Sequence, residues 1–160
     1  MRRLQPNSPS SATAAKDLIA SMSDIHREIP NYLRQLFDRA VQAADPKLCL
    51  ADHLPEPPRG RTLVIAAGKA AASMARATEI AWPTAAPLSG VALTRYGHGE
   101  PCERIEVIEA AHPVPDNRGF QAAQRLMGEV RKLGSDDLLL CLMSGGGSAL
   151  LALPATGISL

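Results

Sequence analysis

Asp136-Asp137-Leu138-Leu139-Leu140-Cys141-Leu142-Met143-Ser144-Gly145-Gly146-Gly147-Ser148-Ala149-Leu150-Leu151 is the stretch that decides the fold. Two carboxylates lead into six consecutive apolar residues. A short apolar run with polar flanks predicts a strand buried on both faces, as in a parallel sheet. Three glycines cannot extend such a strand, because each adds backbone freedom and no packing. They predict a tight turn whose N–H groups point outward, followed by a helix that Ser144 or Ser148 is placed to cap. Strand, glycine turn and helix N-terminus together form a site for phosphate or carboxylate. The plainer alternative is a strand-to-helix turn that binds nothing.

Working back along the chain, Asp116 or Asn117 to Leu133 reads as a helix with Phe120, Ala123, Leu126, Met127 and Val130 on its apolar side. Gly134 stops it. Arg104 to Ala110 is a strand suited to a sheet edge, and Gly90 to Thr94 is another. Arg61 to Ala67 is a buried strand that runs through Gly68-Lys69 into the alanine-rich helix of residues 70–81. Residues 51–60, with three prolines and a glycine, form a connection. Leu33, Leu36, Phe37, Ala40, Val41 and Ala44 make one apolar helical stripe, starting near Pro30 or Asn31 and stopped by Asp45-Pro46. Residues 1–22 read as a disordered tail and 23–160 as the α/β domain. Alternating helices and strands predict an α/β fold of three layers, a mainly parallel Rossmann-like sheet between helices.

Composition excludes several roles. The chain has 160 residues, 46% of them hydrophobic, enough for one core. A net charge of +1 and 3% aromatic residues argue against nucleic acid and against an anionic membrane. Three cysteines at wide spacing give neither a disulfide framework nor a zinc pattern, and Cys141 reads as a small core residue. No apolar segment is long enough to span a bilayer and no signal core follows Met1-Arg2-Arg3, so a cytoplasmic location is expected.

Four loops follow the strands: Gly68-Lys69, Thr94 to Gly99, His112 to Asp116 and Ser144 to Ser148. In a parallel sheet they gather on one edge, where ligands bind. Lys69 stands at a helix N-terminus, an unfavourable place for a cation, which points to a role. Arg95 reads equally as a surface charge, His98 as a turn residue, His112 as a loop histidine bonded to backbone, and Asp116 as a helix cap. The P-loop pattern fails, with Leu63 in place of its first glycine. The dinucleotide pattern fails at Leu150. Ser148 is not in a nucleophile elbow.

The motifs AAGKAA (Ala66 to Ala71), TRYGHG (Thr94 to Gly99), EAAHPVPD (Glu109 to Asp116) and SGGGSALL (Ser144 to Leu151) resemble those of the glycerate 2-kinases. These are also called class II glycerate kinases or the hydroxypyruvate reductase/MOFRL group. The resemblance runs over roughly residues 30 to 160. It implies ATP-dependent phosphorylation of D-glycerate to 2-phosphoglycerate with Mg²⁺ as companion ion, and it leaves room for a homodimer. It also implies that Lys69 is catalytic and that the glycine turn faces the cleft; by their place in the gathered strand-end loops, Arg95, His112, Asp116 and the Ser144, Gly145, Gly146, Gly147, Ser148 turn are the candidates to bind phosphate or substrate. No protein metal ligands are expected. Family members are longer and close their site with a second domain, so the resemblance implies an N-terminal fragment, inactive by itself. Two alternatives are a hydroxypyruvate reductase using NAD(P)H and a non-catalytic binding fragment.

Overall fold

The structure is a computed structural model that describes residues 11–160. Residues 1–10 of the expected tail lie outside the described residues. The chain divides into two units, one ending at Ala43 and one running from Ala44 to Leu160.

The first unit is helix α1, Ser11–Ala43. It begins well before the start expected at Pro30 or Asn31, because Pro30 is accommodated inside the helix instead of opening it. The apolar stripe is on the helix, and Leu33, Leu36, Phe37 and Val41 are exposed.

In the second unit, Asp45 caps the short helix α2 (Pro46–Cys49) by accepting from Lys47 N–H. Strand β1 (Thr62–Ala67), helix α3 (Ala71–Ala81), strands β2 (Leu88–Arg95) and β3 (Ile105–Ala110), helix α4 (Asn117–Val130), strand β4 (Leu138–Met143) and the single turn α5 (Gly147–Leu150) follow. The sheet order is β3-β2-β1-β4 and every pairing is parallel. All four strand ends that carry the motif loops therefore lie on one edge. The fold is α/β, as the alternation predicts.

Side-chain alternation sends β-strand residues to two cores. Val64, Ala66, Ala92 and Leu142 pack with Ala71 and Ala75 of α3. Val91, Leu93, Ile108 and Ala110 pack with Ala122 and Leu126 of α4 and with Leu150. The helices thus cover opposite faces. Alanine on α3 lets that helix approach the sheet closely, which suits strands with alanine at 66, 67 and 92.

The fold corrects the reading of β4. This strand lies at the sheet edge and pairs with β1 alone among the described strands. Leu142 is buried, but Leu139, Cys141 and Met143 on the opposite face are exposed. The strand is covered on the α3 face only, since α4 sits over β2 and β3. Cys141 is therefore an exposed thiol and not a core residue.

A second connection depends on one buried carboxylate. Glu79, 8% exposed, accepts from the N–H groups of Glu103, Arg104 and Ile105. It fixes the start of β3 against α3. Burial alone would raise its carboxyl, but these three donors outweigh that and hold it below the ordinary carboxylate value.

Candidate active site

The end of β1 and the end of β4 are joined into one piece of backbone. Ser144 N–H donates to Ala67 carbonyl at 2.9 Å, and Lys69 N–H donates to Gly145 carbonyl at 3.1 Å. The Ser144 hydroxyl oxygen accepts from Ala70 N–H at 3.0 Å. Ala70 is the N-cap position of α3 and supplies no side-chain cap itself. Ser144 thus satisfies a first-turn donor of α3 across 74 residues of sequence. That differs from the expected capping of the helix following its own turn, where Gly146 is the N-cap with no side-chain bond.

Gly68 makes this junction feasible. Its φ is +120°, and a β-carbon there would stand 2.2 Å from Ser144 Oγ. Both the conformation and the close approach require glycine. Lys69 follows with an exposed side chain. Its carbonyl accepts from the Thr94 hydroxyl at 3.4 Å, so β2 also holds the lysine backbone. Lys69 is positioned on a backbone fixed from both neighbouring strands.

Among the described residues no partner takes the N–H groups of Gly145, Gly146, Gly147 or Ser148. These are four successive donors at the edge of the sheet, beside Lys69. Such a run attracts an anionic group. Gly146 has φ +89°, and its α-carbon lies against His112, whose Nε2 would be 2.7 Å from a β-carbon there. His112 precedes Pro113 through a cis peptide bond and is half-buried. Lys69, the glycine turn and His112 are therefore contiguous.

Asp116 has a different surrounding. Its Oδ1 accepts from Gly119 N–H at 2.9 Å, and it is the N-cap of α4. Its Oδ2 accepts from Ala111 N–H at 3.1 Å and from the Tyr96 hydroxyl at 2.9 Å. Burial would raise this carboxyl, but the Gly119 N–H, the Tyr96 hydroxyl and the Ala111 N–H together keep it below its ordinary value. The same bond to Asp116 raises the Tyr96 phenol. These bonds tie the β2 loop, the β3 loop and α4 together.

Arg95 donates from Nε to His98 Nε2 at 3.0 Å, and both side chains are exposed. Glu109 Oε1 accepts from His98 N–H at 3.1 Å and Gly99 N–H at 2.8 Å, folding this loop back on β3. Tyr96 and Glu109 escape a reading by residue type, although both lie inside the quoted motifs. Their partners come from a neighbouring strand and cannot be seen along the chain.

Residues 32–160 match the model of a family described as a domain of unknown function, DUF4147. A protein of Agrobacterium vitis provisionally named hydroxypyruvate reductase is 52% identical over 128 residues, 80% of this chain and 29% of that one. The glycerate 2-kinase of Pyrococcus horikoshii is 45% identical over 102 residues, 64% of this chain and 22% of that one. A crystal structure of a glycerate kinase from Thermotoga maritima superposes with a TM-score of 0.71 at 32% identity, covering 83% of this chain and 32% of that one. The chain spans less than a third of the length of these relatives.

Proposed function

The chain belongs to the DUF4147 family, and on that footing we propose that it carries the phosphate-handling half of a glycerate 2-kinase. The reaction would transfer the γ-phosphoryl group of ATP to the 2-hydroxyl of D-glycerate. The observation that carries this reading is the row of unpartnered N–H groups from Gly145 to Ser148, set beside Lys69. A row of fixed donors suits a phosphate chain or the glycerate carboxylate, and a lysine on a clamped backbone suits charge that develops during transfer.

ATP would supply the phosphoryl group and the leaving diphosphate. The Ser144 to Ser148 turn would hold phosphate oxygens through its N–H groups. The Ser144 oxygen already accepts from Ala70, which leaves its proton free for a ligand. Lys69 would neutralise charge spread over the transferring oxygens, and His112 would form one wall of the turn. Asp116, with three donors on its carboxylate, would act by holding loops in place. Among the described residues no group of three or more metal-ligating side chains gathers. Mg²⁺ would enter on the nucleotide phosphates, which it binds together with waters and one or two carboxylates.

Catalysis here would be positioning and electrostatic neutralisation. Because the chain matches under a third of its relatives' length, we further propose that substrate closure needs a second domain and that this chain is nearly inactive without one. Among the described residues no helix is long and apolar enough to cross a membrane. The names of the Agrobacterium vitis relatives favour a second reading, reduction of hydroxypyruvate by NAD(P)H. The glycine pattern, with Leu150 where a dinucleotide turn has its third glycine, weighs against it. Two assays on a chain carrying a second domain separate them: ATP with D-glycerate, and NADH with hydroxypyruvate. Turnover in the first alone supports the kinase. Turnover in the second alone overturns it.

A further inference from the structure

The loop after β2 holds an arginine in a fixed attitude. His98 N–H donates to the Arg95 carbonyl at 3.2 Å and closes a four-residue turn. Gly97, third in that turn, has φ +76°, the left-handed conformation a type II turn requires there. The turn brings the side chains of Arg95 and His98 together. Arg95 Nε lies 3.0 Å and Nη2 2.6 Å from the same ring nitrogen, His98 Nε2. A guanidinium can only donate, so Nε2 carries the lone pair and Nδ1 the hydrogen. Glu109 fixes the far end of the turn, its Oε1 accepting from His98 N–H and Gly99 N–H. One edge of the guanidinium is thereby occupied. The other edge, Nη1 with the outer hydrogen of Nη2, is left open. Among the described residues no acidic side chain pairs with Arg95, which is exposed.

We propose that Arg95, preset by His98 and Glu109, is the receptor for the carboxylate of a 2-hydroxy acid, while the Gly145 to Ser148 turn takes phosphate. Two parallel N–H groups on the open edge match the two oxygens of a carboxylate. An arginine already held in this attitude loses less side-chain freedom when the ligand arrives. Placement agrees with the division. Residues alternate along β2, so Arg95 lies on the side of Val91 and Leu93, which face α4. The glycine turn runs into α5, whose Leu150 is buried in that same core. Arg95 and the turn therefore share a face as well as an edge. Thr94, the residue before Arg95, reaches the Lys69 carbonyl, so the arginine and the lysine leave neighbouring strands side by side. Neither His98 nor Glu109 touches the ligand in this account; both are positioning residues that act through Arg95. That the acid is D-glycerate rests on the kinase reading, whereas the carboxylate receptor does not.

One arm of the test needs no turnover. Side-chain nitrogen NMR of Arg95 and His98 in the 160-residue chain is followed during titration with D-glycerate, with glycerol, which lacks the carboxylate, and with inorganic phosphate. His98 Nε2 should resonate as an unprotonated nitrogen. The Arg95 guanidinium should respond to glycerate and not to glycerol, and the Gly145 to Ser148 amides should respond to phosphate. Arg95 signals that ignore glycerate, or that follow glycerol or phosphate equally well, overturn the proposal. The second arm measures both KM values in a chain carrying a second domain. Arg95→Lys keeps the charge and loses the fork. It should raise the KM for D-glycerate about 10-fold or more and leave that for ATP within about 2-fold. His98→Ala and Glu109→Ala should raise the glycerate KM in the same selective way. His98→Gln and Glu109→Gln each keep an acceptor oxygen and should recover most of that loss. An unchanged glycerate KM in Arg95→Lys, a rise confined to ATP, or no recovery in the glutamine variants overturns the proposal. If the longer chain shows no turnover while Arg95 still takes the carboxylate, the kinase reading fails and the receptor stands.

Discussion

The α-carbon of Gly146 rests against the imidazole of His112: a β-carbon at this glycine would stand 2.7 Å from Nε2. Two separate constraints meet there, a left-handed backbone at φ +89° and a lack of space. Gly146→Ala should cost about 1–2 kcal/mol for the backbone alone, plus the displacement of His112. In a His112→Ala background only the backbone part should remain. A double-mutant cycle by urea denaturation measures the difference, and additive costs would show that His112 does not confine the turn.

Ser144 should be a structural pin as well as a candidate ligand. Ser144→Ala leaves Ala70 N–H without its acceptor at the start of α3, at a cost of about 1–2 kcal/mol. Ser148, whose side chain is exposed, should tolerate the same change within about 0.5 kcal/mol. Thermal unfolding of the two variants tests the contrast. If the pair also binds phosphate, both should weaken it, and a phosphate titration followed by NMR of the Gly145 to Ser148 amides separates binding from stability.

Glu79 predicts an acid-side loss of stability far from the candidate site. Its carboxyl is held below its ordinary value in the folded chain, so its contribution is fully present above the unfolded value and is lost as pH falls through the folded one. Glu79→Ala should cost about 2–4 kcal/mol at neutral pH, because three N–H groups lose an ionised acceptor. Glu79→Gln should cost less. The gap between wild type and Glu79→Gln should be constant above about pH 5 and narrow below the unfolded carboxylate value of roughly 4.3. Urea midpoints at several pH values provide the check; a gap that widens on acidification would reverse the sign.

The sequence announces its strand and helix periods, and hence the α/β fold, because those signals are local. Gathering of the four motif loops on one edge then follows from parallel strands alone. The place of β4 at the sheet edge is not local. Leu138 to Met143 contains no polar residue, so nothing in it distinguishes burial on two faces from burial on one. Only the order β3-β2-β1-β4 reveals that Cys141 is exposed. Pro30 misleads for a related reason: proline suits a first turn, and its tolerance inside α1 cannot be read from its neighbours. At the candidate site, Lys69 and the glycine turn are legible from residue type and spacing. The Ser144–Ala70 bond, the Tyr96–Asp116 bond and the Glu109 hold on the β2 loop join residues 10 or more apart. They set the geometry, yet no pattern along the chain marks them.

Lys69 provides the most direct test of the proposed chemistry. Its backbone is fixed by Gly145 on one side and Thr94 on the other, while its side chain is exposed. Replacing the side chain should therefore leave the junction intact. In a chain carrying a second domain, Lys69→Met should unfold within about 0.5 kcal/mol of wild type, as an exposed substitution does. If the ammonium group neutralises charge only in the transition state, kcat and kcat/KM should fall together by about 10² to 10³, on the scale of a lost oxyanion donor. A rise in KM with kcat unchanged would instead make Lys69 a ground-state binding residue. Full activity would remove it from the mechanism, leaving the N–H row of Gly145 to Ser148 as the remaining candidate for phosphate.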